Sequence, residues 1–231
     1  MIISINQPAY LPWLGYFDRI YNSDIHIVLD HVQFEKNSFV NRNKIINNQQ
    51  AQMLTVPVST KGKFGDLAIN KVEIADKINW RDKHFRSISQ SYSKAPFKEN
   101  ILPRFEEFYI NRDTSSLNEM LKEQLSIFLD LLSLANTKII YSSEAEYTST
   151  KSDLIFDICT SMKATEYISG PLGRDYLDDE KFLEAGIKIS YQDYNHPKYE
   201  QNSKEFISHV STLDLLMNHG DSAFDILVGA E

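Results

Sequence analysis

The chain has 231 residues, of which 42% are hydrophobic and 12% aromatic, and this is enough apolar material for a folded core. Its 32 acidic residues outnumber its 24 lysines and arginines, so the net charge of -8 predicts no nucleic acid partner and no general attraction to anionic lipid. A single cysteine excludes an intrachain disulfide, and the N-terminal residues lack the pattern of a secretory signal. We therefore expect a cytoplasmic protein without a membrane span, and the sequence does not indicate its oligomeric state.

The first thirty residues predict a compact β-α-β unit. Apolar runs at residues 2–5 and 25–29 are typical of short strands. Between them Trp13 and Phe17 stand at helical spacing, and Pro12 suits the first turn of a helix. Strands joined by such a helix are expected to be parallel.

The rest of the chain continues this alternation of strands and helices. Two strands, at 53–58 and 69–74, are expected to pair around a loop at 61–66. The other predicted strands are 138–141, 167–169 and 187–191. The predicted helices are 80–92, 116–136 with Ser116 and Glu119 as a capping box, 152–162, 178–185, and one from Ser211 to about Gly220. The pattern predicts one α/β layered domain over 1–231, Rossmann-like with a mainly parallel sheet and a helical insertion at 95–136.

Polar residues follow the first two predicted strands directly. Asn6 and Gln7 leave the first strand, and Asp30 and Gln33 leave the second. In an open parallel sheet, ligands bind in the crevice beyond the carboxyl ends of the strands. We therefore expect these four side chains to contact a substrate.

The loop at 8–13 is stiff and rich in aromatic residues. Pro8 and Pro12 fix the backbone on either side of Tyr10, which lowers the conformational entropy of the loop. Such a loop would hold the preceding amides still and offer Tyr10 and Trp13 to a substrate. The alternative is that these aromatic side chains only pack.

Further candidates lie in segments after the second predicted strand, after the strand at 167–169 and after the strand at 187–191. Asn41 and Arg42 combine an amide with a guanidinium, which suits a phosphate or a carboxylate. Arg174 lies in a glycine-containing segment, where the backbone can approach a phosphate closely. His196 follows the strand at 187–191, a position where a general base would be useful.

His84 and Cys159 lie on predicted helices. His84 shares a helical face with Ile88, so a core histidine and a catalytic base are both open readings. Cys159 shares an apolar face with Ile155, which favours packing over a role as a nucleophile. No spacing of histidine, cysteine or carboxylate residues is typical of a metal site, and we expect none.

Six segments of the chain carry a family resemblance: INQPAYLPWLGYFDRI, DIHIVLDHVQF, NRNKI, INWRDKHFRSISQSY, YISGPLGRDYLDDEKFLEAGI and YNHPKYEQ. Together they resemble the WbqC-like protein family from residue 2 to about residue 220. Asn6 departs from this resemblance, because many relatives carry His or Met there. An amide does not titrate, so the acid-base role is assigned to His84 and His196. The first β-α-β unit also resembles that of nucleotidylyltransferase-like enzymes such as pantothenate synthetase, without their H-x-G-H motif.

The resemblance implies a role in the biosynthesis of lipopolysaccharide O-antigen and other surface polysaccharides. It suggests a transferase that acylates or aminoacylates the amino group of a nucleotide-linked amino sugar. In that reading His84 or His196 removes a proton from the amine, while Arg42 and Arg174 hold the diphosphate. The side chains that would orient the sugar are Gln7, Asp30 and Asn41.

The acyl donor is left open by the resemblance. A thioester on an acyl carrier protein or coenzyme A, an aminoacyl-tRNA, and a free acid with ATP are all compatible, although the acidic surface disfavours extensive tRNA contact. Two other functions stay open as alternatives. One is a nucleotidylyl or adenylate-forming transferase, and the other is a non-catalytic protein that binds a sugar or a nucleotide.

Overall fold

A computed structural model describes residues 1–60, 62, 65–75, 79–111 and 114–229. The strands, in chain order, are β1 (Ile2–Asn6), β2 (Ile25–Val28), β3 (Arg42–Asn47), β4 (Gln50–Thr55), β5 (Val58–Ser59), β6 (Glu73–Ile74), β7 (Lys138–Tyr141), β8 (Glu166–Ser169) and β9 (Lys188–Tyr191). The α-helices are α1 (Leu14–Tyr21), α2 (Trp80–Ser91), α3 (Lys98–Glu106), α4 (Leu117–Leu131), α5 (Lys151–Ser161), α6 (Asp179–Glu184), α7 (Thr212–His219) and α8 (Ala223–Val228). The predicted loop at 61–66 lies partly outside the described residues.

The chain forms two compact units, each assembled from segments that are distant in sequence. Unit 1 comprises Met1–Gln7, Gly15–Asp30 and Leu134–Asn195. Unit 2 comprises Pro8–Leu14, His31–Ser133 and His196–Glu231. The predicted helical insertion at 95–136 contributes α3 and α4 to unit 2. That residues 1–231 form one domain stays a prediction.

Unit 1 is built on a five-stranded parallel sheet flanked by helices. The strand order is β7-β2-β1-β8-β9, and each neighbouring pair is parallel. Numbered within the sheet, this order is 3-2-1-4-5, the order of Rossmann-type sheets, in which the direction of winding reverses between the first and fourth strands. The predicted Rossmann-like α/β class and the parallel pairing of the first two strands are confirmed.

The sheet of unit 1 also buries polar side chains in its interior. Ser4 on β1 and His26 on β2 are both fully buried, and Ser4 Oγ lies 2.7 Å from His26 Nδ1 and 2.8 Å from Ser23 Oγ. These hydrogen bonds offset part of the cost of burial. Burial lowers the pKa of His26 to about 3, with a smaller contribution from the positive charge of Arg19. The imidazole is therefore neutral at physiological pH.

Unit 2 consists of helices and two short antiparallel hairpins. β3 pairs with β4, and β5 pairs with β6. A π-helical turn at Glu107–Asn111 follows α3 directly, and the rings of Phe105 and Phe128 meet edge to face 5.5 Å apart in the core. Such π-helical turns are uncommon and are frequent at functional sites.

Three local predictions are wrong. Residues 42–44, where the sequence predicts no strand, begin β3. Asn43 is buried there and donates to the Leu11 carbonyl at 2.7 Å, a contact that no local pattern shows. The strand predicted at 69–74 is a 3-10 turn at Ile69–Lys71 followed by the short β6. Pro12 precedes the helix instead of starting it, since α1 begins at Leu14.

The capping prediction for the longest helix is confirmed in its first half. Ser116 Oγ accepts a hydrogen bond from the Glu119 backbone N–H at 3.3 Å, as a serine N-cap does. The backbone N–H of Ser116 is instead bound by Thr114 Oγ1 at 3.2 Å. Over the described ranges, no helix is both long and apolar enough to cross a membrane.

Candidate functional site

In unit 1 the side chains that were predicted to bind a ligand lie at the ends of adjacent strands, at one edge of the sheet. The register pairs Ser4 with Ile168, which sets Asn6 level with Gly170 on the neighbouring strand β8. Asn6 Oδ1 is buried and accepts no hydrogen bond from any described residue, while Gln7 is exposed. An unsatisfied buried oxygen is uncommon in folded proteins and marks a place where a ligand could donate.

Asp30 follows β2 at the same edge but is already occupied. Its carboxylate accepts hydrogen bonds from Ser142 Oγ at 3.1 Å, from the Ser143 backbone N–H at 2.9 Å and from Ser143 Oγ at 2.8 Å. The residue is fully buried, so these bonds fix the chain after β7 against β2. Its proposed contact with a sugar stays a prediction.

Two arginines of unit 1 differ in their surroundings. Arg174 is exposed, and its guanidinium carbon lies 4.2 Å above the ring of Tyr191. Arg19 on α1 is half-buried, and its Nε is buried without a hydrogen-bond partner among the described residues. Sequence reasoning missed Arg19, because nothing in the helical pattern distinguishes it from an exposed arginine.

Cys159 on α5 is fully buried in unit 1. Burial raises the pKa of its thiol to about 12. A thiol is a poor nucleophile unless it ionises, so the geometry gives this side chain a packing role.

In unit 2 a chain of three side chains ends on His84. Tyr109 and Tyr10 share a short hydrogen bond between their hydroxyls, and Tyr10 Oη lies 2.7 Å from His84 Nδ1. The imidazole also bonds to the backbone of Thr55, and this bond raises the pKa of the ring. With the proton on Nε2, Nδ1 accepts from the Tyr10 hydroxyl; with the proton on Nδ1, it donates to that oxygen.

The charge states along this chain follow from burial. Burial lowers the pKa of His84 to about 4, and the bond to Thr55 opposes this shift. Burial raises the pKa of Tyr10 well above its usual value and also raises that of Tyr109, while the positive charge of Arg81 lowers both. All three side chains are therefore uncharged near neutral pH.

Tyr109 also lines an open groove of unit 2 of about 340 Å³. The lining residues are Asn79, Arg81, Asp82, Arg86, Tyr109 and Ile110. Arg81 donates to the Thr114 carbonyl at 2.8 Å and lies 4.8 Å over the ring of Trp80, and its Nη1 is buried without a partner in the part of unit 2 that is described. Arg81 and Tyr109, the first tyrosine of the hydrogen-bonded series that ends on His84, thus line the same groove. Tyr109 and Arg81 were missed in the sequence, where the run Phe108-Tyr109 beside Phe105 was the available signal.

The stiff loop at 8–13 is held in unit 2 by bonds from distant residues. The Tyr10 N–H donates to the Phe39 carbonyl at 3.0 Å, and the Leu11 N–H donates to Oε1 of the fully buried Gln124 at 2.5 Å. Leu11 has a φ of +45°, a conformation that leucine adopts only when its surroundings enforce it. The loop therefore fixes Tyr10 beside His84.

The second predicted base, His196, lies in an aromatic cluster of unit 2. Its ring stacks with Trp13 at 6.4 Å between ring centres, and His209 stacks on the same indole at 5.1 Å. His196 Nδ1 donates to the Pro197 carbonyl at 2.9 Å. Burial lowers the pKa of this half-buried imidazole, and the neighbouring His209 lowers it further.

The remaining candidates of unit 2 make contacts within the unit. Gln33 donates to the Phe34 carbonyl at 2.9 Å and accepts from the Leu67 N–H at 3.0 Å. Asn41 is buried and donates to the Val56 carbonyl at 2.8 Å. Their roles in substrate binding stay predictions.

Arg42 is bound by one neighbour in unit 2. Its guanidinium donates to Asn37 Oδ1 at 3.1 Å and also to the Asn37 carbonyl. These bonds hold the Arg42 guanidinium in place without a phosphate. The predicted contact of Arg42 with a diphosphate stays a prediction. Across the described residues, no three histidine, cysteine or carboxylate side chains are grouped so that they could hold a metal ion.

The fold and these sites define a class: an α/β protein with a Rossmann-type sheet and, in a second unit, a groove lined by a tyrosine that is hydrogen-bonded toward a buried histidine. The chain belongs to the WbqC-like protein family, which it matches over residues 7–226. It is also 33% identical over 226 residues to an uncharacterized protein of Mycobacterium tuberculosis, an alignment that covers 97% of this chain and 96% of the other. No solved structure matches the chain.

Proposed function

We propose that the protein is a transferase that acylates or aminoacylates the amino group of a nucleotide-linked amino sugar in surface-polysaccharide biosynthesis. The observation that carries the proposal is the hydrogen-bonded chain from Tyr109 through Tyr10 to His84, which begins at a groove that contains Arg81. An amine that attacks an acyl group must lose a proton, and this chain is built to accept one.

In the proposed step, the amine nitrogen forms a bond to the acyl carbon, and the bond from that carbon to its leaving group breaks. The proton of the amine passes to Tyr109 Oη as the Tyr109 proton moves to Tyr10 Oη and the Tyr10 proton moves to His84 Nδ1. The departing group, a thiolate, alkoxide or phosphate, accepts a proton when the chain resets. Direct contact between the amine and His84 is not part of this step, because Nδ1 of His84 is engaged by the Tyr10 hydroxyl.

The relay uses the tautomer of His84 that carries its proton on Nε2, in which Nδ1 accepts from Tyr10. Burial lowers the pKa of this ring to about 4, and the bond to the Thr55 backbone opposes this shift. A positioned base of this kind contributes about 10²- to 10⁴-fold to a rate. His196 stays the alternative base, with its half-buried ring in the aromatic cluster of Trp13 and His209.

The nucleotide part of the proposal is supported by the sheet of unit 1. Its order has a reversal between β1 and β8, the position where Rossmann-type sheets bind nucleotides. Asn6 ends β1 at this position, and Gln7 follows it.

The test is to incubate the purified protein with a panel of nucleotide-linked amino sugars and acyl donors and to measure the mass of the sugar product. The donors are coenzyme A and carrier-protein thioesters, aminoacyl-tRNA, and free acids with ATP. We expect one pair to give the mass of the amide. Tyr109→Phe and His84→Gln should each lower the rate at least about 100-fold.

Tyr92→Phe is the matched control. Tyr92 is also a fully buried tyrosine of unit 2, but it is not part of the hydrogen-bonded series Tyr109–Tyr10–His84. It should retain most of the activity. Amide formation that is unchanged in Tyr109→Phe and His84→Gln would remove the relay, and a loss confined to His196→Gln would move the base to that residue. Transfer of a nucleotidyl group from ATP without amide formation would favour the adenylate-forming alternative, and sugar binding without turnover would favour a binding protein.

A further inference from the structure

Arg19 carries a positive charge that no described residue binds directly. Its side chain makes no hydrogen bond and no ion pair within the described part of the chain, and its Nε is buried. Its electrostatic neighbours are Tyr167, Tyr16, Asp18 and Tyr176, and burial lowers the pKa of the guanidinium. A partly desolvated cation without a partner costs stability, so a sequence retains one at a cost that a ligand can offset.

Among the described residues, the carboxylate whose charge acts on Arg19 is that of Asp18, and it is hydrogen-bonded to other side chains. Asp18 accepts hydrogen bonds from Gln192 Nε2 and from Asn22 Nδ2, the latter at 2.9 Å. Burial raises the pKa of Asp18, and the two amides and the positive charge of Arg19 oppose this shift. Asp18 therefore acts on the guanidinium through its charge and makes no direct ion pair with it.

The guanidinium of Arg19 lies at the point of the sheet where the winding reverses. A Cβ atom at position 170 would lie 3.1 Å from Arg19 Nη1, so the guanidinium rests against the backbone of Gly170, directly after β8. Asn6, with its unsatisfied Oδ1, is level with Gly170 on β1. An unpaired cation and an unpaired acceptor thus occur at the carboxyl ends of two adjacent strands of unit 1.

We propose that Arg19 binds a phosphate group, and that Asn6 accepts a hydrogen bond from a hydroxyl or N–H group of the same ligand. A nucleoside diphosphate carries both features, since its phosphates are anionic and its ribose and base donate hydrogen bonds. A guanidinium binds phosphate oxygens through two parallel N–H donors, which a lysine cannot reproduce. The proposal replaces Arg174, which rests on Tyr191, as the main phosphate ligand of unit 1. It rests on the proposed function only for the identity of the nucleotide.

The test uses the full chain with inorganic pyrophosphate, UDP, UDP-N-acetylglucosamine and glucuronate as probes, and isothermal titration calorimetry as the measurement. Arg19→Gln should weaken binding of pyrophosphate and UDP about 10- to 100-fold, as expected for hydrogen bonds to a charged group. Arg19→Lys should recover only part of this loss. Asn6→Ala should weaken UDP binding several-fold and leave pyrophosphate binding unchanged, and glucuronate should bind more weakly than UDP.

Arg174→Gln is the matched control, because it removes an exposed arginine from the same unit. It should change pyrophosphate affinity less than about threefold, in line with the small energy of an exposed charge. Thermal denaturation gives a second, independent readout. Without ligand, Arg19→Gln should melt at the same temperature as the wild type or higher, because it removes an uncompensated charge. Saturating UDP should raise the melting temperature of the wild type by about 5 °C and leave that of Arg19→Gln unchanged.

Several results would overturn the proposal. These are wild-type affinity for pyrophosphate in Arg19→Gln, no binding of any phosphate probe by the wild type, tighter binding of glucuronate than of UDP, and an unliganded Arg19→Gln that melts well below the wild type. The last result would show that the guanidinium holds the fold. The proposed function fails separately: if no donor yields an amide while Arg19 is required for UDP binding, the phosphate site stands and the transferase does not.

Discussion

Acidification from about pH 7.5 to about pH 5 should destabilise unit 2 through His84. The pKa of this imidazole is about 4 in the folded protein, against 6.5 for an ordinary histidine. The contribution of a group with a lowered pKa is fully present above the ordinary value and is lost as the pH falls toward the folded value. In this pH range the His84 imidazole binds a proton in the unfolded chain but mostly does not in the folded chain.

The magnitude follows from the two pKa values. At about pH 5 nearly all unfolded chains carry a proton on this ring and only about a tenth of folded chains do, which corresponds to about 2 kcal/mol of lost stability. Asp214, fully buried in the same unit, acts in the opposite direction. Burial raises the pKa of its carboxyl to about 6 although Tyr199 and Gln201 donate to it at 3.0 Å, so acidification over this window adds about 1 kcal/mol.

The assay is urea unfolding followed by tryptophan fluorescence. The two tryptophans of the chain, Trp13 and Trp80, both lie in unit 2, and the Trp80 ring is 5.1 Å from that of His84, so the signal reports this unit. The wild type should lose about 2 kcal/mol more than His84→Gln between the two pH values. His209→Gln, which removes an exposed imidazole from the same unit, is the control and should show the pH dependence of the wild type.

An identical pH dependence in the wild type and in His84→Gln would refute this reasoning. It would mean that the imidazole titrates normally in the folded protein, and therefore that it is neither desolvated nor held by Tyr10 and Thr55. The relay in the proposed function would lose the hydrogen bond that positions its acceptor at the same time.

Two further predictions concern backbone fit and buried carboxylates. Gly220→Ala should lower the free energy of unfolding by more than about 3 kcal/mol in thermal denaturation, because φ is +53° and the new Cβ would lie 2.2 Å from Phe97 Cδ1. Gly186→Ala is the control and should lower it by about 1 kcal/mol, because φ is +74° there but no atom lies within 4 Å of the new Cβ. Equal losses would contradict the clash. Asp30→Asn should lower the free energy of unfolding by about 1–3 kcal/mol, because an amide cannot accept all the hydrogen bonds that both carboxylate oxygens now accept. Asp24→Asn is the control and should lower it by less than about 1 kcal/mol, because its bond to the Ile2 N–H is exposed. A neutral Asp30→Asn would contradict the structural role of that carboxylate.

Local patterns predicted the elements that local physics controls. The helix from Leu117 and its N-cap Ser116 follow from side chains within one turn, and the parallel strands of unit 1 follow from short apolar runs separated by a helix. β3 was missed because its polar residue Asn43 is buried by a bond to Leu11, 32 positions earlier. The sequence pattern alone cannot show that a distant backbone carbonyl accepts the hydrogen bond of a buried polar side chain.

The sequence by itself determined the α/β class, the stiff loop before α1 and a set of polar residues that includes Tyr10, His84 and Asn6. Only the tertiary structure decided their states. Tyr10 meets His84 across 74 positions, and the missing counterion of Arg19 is a property of everything that surrounds it. Periodicity depends on neighbours along the chain, whereas desolvation and hydrogen bonding depend on neighbours in space.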